Sequence, residues 1–73
     1  MEIDHAFNFP LTFKGHVVKC TLVPYERVYE VLIDDELVTE IHHDTNGWVN
    51  ENPGTLPDDV LKIIGEKIEK NWV

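Results

Sequence analysis

The sequence predicts an α+β domain: an antiparallel four-stranded β-meander, with room for a short fifth strand near Trp48, and one C-terminal α-helix packed on one face. Three observations predict it. Apolar and polar residues alternate with period two along much of the first half of the chain, the pattern of strands with one buried face. Turn-forming residues interrupt the alternation at Lys14-Gly15, Asp34-Asp35-Glu36 and Asn46-Gly47. After Thr55 the period changes, and apolar residues recur at helical spacing.

The first hairpin is the clearest element. Phe7, Phe9, Leu11 and Phe13 alternate with Asn8, Pro10 and Thr12, and Gly15 supplies the positive φ that a two-residue turn requires. With Lys14-Gly15 as the turn, Phe13 faces His16, Leu11 faces Val18, Phe9 faces Cys20 and Phe7 faces Leu22. Asn8, Pro10 and Thr12 then meet Thr21, Lys19 and Val17 on the other side. A slip of one residue would bury Lys19 and Thr21, so the register is well specified. Pro10 lacks a ladder donor, which makes this strand an edge.

The next two connections follow the same arithmetic. A four-residue loop at Pro24 to Arg27 pairs Leu22 with Tyr29, Cys20 with Val31 and Val18 with Ile33, all on the inner face. The third hairpin has two readings. A three-residue loop, Asp34-Asp35-Glu36, keeps Leu37 and Ile41 inside; a two-residue Asp34-Asp35 loop turns Val38, Glu40 and His42 inward instead. Hydrophobic sidedness favours the first, although Glu36 occupies a position that prefers Gly. In that reading the outer face carries Val17, Val23, Val28, Leu32 and Val38. Val17, Val28, Leu32 and Val38 are the candidate interface residues.

Asn46-Gly47 marks a further turn, Trp48-Val49 a strand stub, and residues 50–54 a loop. Thr55 is the expected helix cap, with Pro57, Asp58 and Asp59 in the first turn and Lys67 and Lys70 near the other end. Val60, Leu61, Ile64, Gly65, Ile68 and Trp72 form one apolar stripe. Gly65 costs helix stability, about 1 kcal/mol relative to Ala, and close approach of the helix to the sheet is the expected compensation. Ile63 falls off the stripe as an exposed apolar residue.

The 73 residues make a single domain, 1–73, with one helix to cover one face of one sheet. Cys20 is the only cysteine and points inward, so no disulfide staples the chain. Domains of this size often need a staple or a partner subunit; Phe7, Phe9, Phe13, Tyr29 and Trp72 are the aromatic alternative, and homodimerisation through the outer face is the other. The start of the sequence lacks the basic and apolar regions of a secretory signal, and no segment has the length of a membrane span. A cytoplasmic location is expected.

The formal net charge is −8, and it is unevenly placed. Residues 1–25 balance, residues 26–59 hold ten acids against Arg27, and the remainder is slightly basic. This argues against nucleic-acid and anionic-membrane partners, whose phosphates attract lysine and arginine clusters. An acidic surface of this kind suits solubility, or docking of a basic protein by imitation of nucleic acid.

The catalytic inventory is thin and no cofactor is implied. Of His5, His16, His42 and His43, the last two are strand neighbours and point to opposite faces. Glu40, His42 and Asp44 share one face and are the weak candidates for a metal site, which needs three or four convergent ligands. Asp44-Thr45-Asn46-Gly47 lacks the alternating acids of a calcium loop and reads as a turn. No nucleophile–base motif and no Gly-rich phosphate loop are present, and the chain is expected not to be an enzyme. Tyr25 and Trp48 sit beside turns as exposed or core-capping aromatics.

The strand order together with Leu56-Pro57-x-x-x-Leu61 and Ile64-Gly65-Glu66-x-Ile68-Glu69 resembles short uncharacterised bacterial proteins of similar length. The resemblance implies the same fold across nearly the whole chain and carries no activity to any residue. The expected function is a non-enzymatic protein-interaction module or homodimer, with an acidic nucleic-acid mimic and a metal site near His42 as alternatives.

Overall fold

The computed structural model describes residues 5–71. Five strands, β1 (Phe7–Phe13), β2 (His16–Tyr25), β3 (Val28–Ile33), β4 (Glu36–Asp44) and β5 (Gly47–Asn50), form one antiparallel sheet in sequence order. The helix α1 (Asp58–Lys70) follows and packs on one face. The α+β meander with a C-terminal helix is therefore the observed fold, and the Trp48 segment is a true fifth strand. No helix among the described residues is long and apolar enough to cross a membrane.

The first hairpin has the register expected from its alternation, from Phe7↔Leu22 to Phe13↔His16. Lys14 and Gly15 both take positive φ, 54° and 81°, as a tight hairpin turn demands. β1 is an edge strand, which accommodates Pro10.

The second hairpin differs from expectation. Its turn is Glu26-Arg27, so Pro24 and Tyr25 belong to β2, Leu22 faces Val31 and Cys20 faces Ile33. The displacement is two residues, which leaves every side chain on its expected face; an apolar pattern of period two cannot distinguish the two registers. The tighter turn is made possible by Glu26 at φ 57°.

The third hairpin combines the two readings. Asp34 and Asp35 form a two-residue turn at φ 51° and 71°, with Ile33 facing Glu36 and Leu32 facing Leu37. A register shift between Val31 and Leu32 then inserts one extra residue in β4, and Val31 faces Thr39. This bulge restores Ile41 to the core, fully buried, while Leu37 is left 56% exposed. Val38, expected on the outer face, instead packs partly against the core cluster beside Phe13 and Ile33.

The core comprises Phe9, Leu11, Cys20, Leu22, Tyr29, Val31 and Ile41 from the sheet with Leu56, Val60, Ile64 and Ile68. The helix begins later than its cap signal suggests. Pro57 is the cap residue and makes no side-chain cap bond, while Thr55 is committed to the preceding loop. Gly65 is buried against Trp48: an added Cβ would fall 2.5 Å from Nε1 and 2.8 Å from Cγ of the indole. Close approach thus compensates its low helix propensity, as expected. Trp72 lies outside the described residues.

Candidate functional site

Two polar arrangements border the helix-covered face. At the start of the loop into α1, Thr39 donates to Asn50 Oδ1 at 2.6 Å, and Asn52 Nδ2 returns a bond to Thr39 Oγ1 at 3.2 Å. Asn50 Nδ2 donates to Thr55 Oγ1, whose hydroxyl in turn donates to the Asn52 carbonyl at 2.6 Å. Thr39 is the only buried polar residue described, and this closed network satisfies it. At the other end, Trp48 Nε1 donates to Glu69 at 2.7 Å, with His43 and Tyr29 edge-on to the indole at 4.9 and 5.7 Å. An open cleft of about 490 Å³ lies beside it, lined by Leu61, Lys62 and Glu66 among others. These groups are structural partners of one another; among them no nucleophile lies beside a base.

Cys20 is fully buried, and burial pushes its thiol up to about 12, which removes thiolate reactivity near neutral pH. Glu40, His42 and Asp44 are not brought together. His42 Nδ1 lies 2.5 Å from Glu51 Oε2, and Asp44 accepts from the Asn46 amide. Among the described residues, no three His, Cys, Asp or Glu side chains converge to hold a metal ion. His42 and His43 do face opposite sides, one toward Glu51 and the other toward Trp48.

The remaining surface is the face of the sheet opposite the helix. Its residues follow from the register. Thr21 faces Leu32 and Leu32 faces Leu37; Tyr25 faces Val28; His42 faces Val49. Val17, Tyr25 and Leu37 are 76%, 59% and 56% exposed, and Val23, Val28, Leu32 and Val49 are half-buried. Between the two apolar rows runs an acidic one. Glu30 faces Glu40, and the Glu51 amide extends the ladder by donating to the Glu40 carbonyl at 2.9 Å. At the β2–β3 turn a groove of about 550 Å³ is lined by Tyr25, Glu26, Arg27, Val28 and Glu40.

Of the four candidate interface residues, Val17, Val28 and Leu32 lie on this face and Val38 does not. Sequence reasoning missed Glu51 and, in the favoured reading of the third hairpin, Leu37; Tyr25 is exposed beside its turn as the sequence suggested. The turn chemistry of Asp34-Asp35 was the available signal for Leu37, since a two-residue turn sends it outward. Glu51 had none, because residues 50–54 read as loop by composition.

The fold and this face define a small meander-plus-helix domain with one apolar sheet face left open. No protein-family model, curated protein or solved structure matches the chain.

Proposed function

We propose that this chain is a small non-enzymatic protein-interaction module that docks a protein through the outer face of its sheet. One observation carries the reading. The helix covers the Phe9–Ile41 face, yet Val17, Tyr25 and Leu37 stand exposed on the opposite face around Val28 and Leu32. Exposed apolar side chains gathered on the one uncovered face of a small sheet are the feature of this surface that points to an interaction site. The proposal extends to a cytoplasmic location, supported by a single unpaired thiol that needs no oxidising compartment. Nucleic acid and anionic membranes are poor partners for a chain of net charge −8.

The test is affinity capture with immobilised wild-type protein, a Leu32→Glu variant and an Asp59→Asn control, all verified as folded. Loss of the same retained proteins from Leu32→Glu alone supports the reading. Identical retention by all three overturns it.

A further inference from the structure

We infer that the occupant of the outer face is a protein segment in which lysine or arginine is interspersed with apolar residues. This rests on the docking reading above and adds the chemistry of the partner. The face is striped: Leu32 and Leu37 on one side, Tyr25, Val28 and Val49 with His42 among them on the other, and Glu30, Glu40 and Glu51 between them. Val23 lies at the β2 end of that middle row.

Folding does not account for the middle stripe. Like charges directly opposite on neighbouring strands are destabilising, and Glu30 faces Glu40. Among the described residues no lysine or arginine pairs with Glu30 or Glu40: Lys19 pairs with Asp35 at 2.8 Å, and His42 meets Glu51 at the end of the stripe. A second copy of the chain would bring the same three carboxylates, while its Lys19 is paired with Asp35 and only Arg27 borders the groove.

The groove at the β2–β3 turn shows how a basic residue is received. A lysine or arginine stem lies along Tyr25 and Val28, and its charged head reaches Glu26 and Glu40. Arg27 borders the same groove, so the two carboxylates there outnumber the one cation. Apolar neighbours of the basic residue cover Leu32 and Val28, and the stripe then supplies charge selection while the apolar rows supply burial.

The experiment is an NMR titration of the whole chain with two peptides, one of alternating leucine and lysine and one of alternating leucine and glutamine. The lysine peptide is expected to shift the amides of Val28, Leu32 and Glu40 and to bind about tenfold tighter than the glutamine peptide. Glu30→Gln with Glu40→Gln removes that preference without unfolding the protein, because it relieves a repulsion. Asp58→Asn with Asp59→Asn, equally acidic but on the helix, leaves the preference intact. Equal binding of the two peptides at this face overturns the basic-partner inference and leaves the docking reading standing. Preference that survives in Glu30→Gln/Glu40→Gln does the same. If neither peptide touches the face and light scattering shows a dimer broken by Val28→Glu, the occupant is a second copy. If neither binds and the protein remains monomeric, the inference falls, and the capture experiment above decides the docking reading separately.

Discussion

Trp48 on β5 fills the space that a side chain at Gly65 on α1 would occupy. A Cβ there would collide with the pyrrole edge of the indole, whose Nε1 is held by Glu69 one helical turn further on. The helix and the last strand are thus fitted by one missing methyl group. Gly65→Ala raises intrinsic helix propensity by about 1 kcal/mol, but overpacking of this kind costs about 1–3 kcal/mol. We expect net destabilisation in urea unfolding. In a double-mutant cycle, Trp48→Leu recovers part of the loss only in the Gly65→Ala background.

The Thr39 hydroxyl is buried and joined to both Asn50 and Asn52. Thr39→Val keeps the shape and leaves two partners short of a bond, for an expected loss of about 1–3 kcal/mol. Thr39→Ser retains the hydroxyl and loses less. Denaturant midpoints of the two variants check the order.

Glu40 lies opposite Glu30, and among the described residues neither forms an ion pair with a cation. Glu40→Gln is expected to stabilise the fold by a few tenths of a kcal/mol, up to about 1 kcal/mol, at low ionic strength. The gain shrinks as salt rises, because the repulsion it relieves is screened. Thermal melts at two salt concentrations test this.

The Asp34-Asp35 turn holds Asp35 at φ 71°, a conformation Gly adopts without penalty. Asp35→Gly should stabilise by about 1 kcal/mol. The lost Lys19–Asp35 pair offsets little, since its side chains are 47% and 75% exposed. Urea unfolding measures the difference.

The Cys20 thiol is held protonated by burial, with its ionisation moved from 9.0 to about 12. The unfolded chain therefore loses this proton first as pH rises. The stabilising effect is fully present below about pH 9 and disappears progressively toward about pH 12. Wild type should lose stability across that window relative to Cys20→Val, read as the difference between their urea midpoints. A thiol reagent at neutral pH should label Cys20 only after unfolding.

How far the fold was legible varies by hairpin, and the reasons are local. Lys14-Gly15 names its own turn, and a slip of one residue would bury Lys19, so one register survives. Glu26-Arg27 names no turn, and a shift of two residues preserves every face. At Asp34-Asp35 the turn chemistry and the apolar pattern disagreed, and the bulge at Leu32 satisfies both by adding a residue that neither signal announces. Thr55 looked like a cap because its neighbours suit one; its hydroxyl went to Asn50 and Asn52 instead, contacts that depend on how the loop folds back.

The sequence by itself determined the element order, the inward face of β1 to β3, the burial of Cys20 and the apolar stripe of the helix. These depend on local period and on the free energy of hiding apolar side chains, both of which a linear pattern records. Only the tertiary structure decided the pairing of β2 with β3, the outward turn of Leu37, the alignment of Glu30, Glu40 and Glu51, and the fit of Trp48 to Gly65. Each of these depends on which backbone lies beside which. A repeat of two residues leaves that choice open, and packing between distant segments closes it.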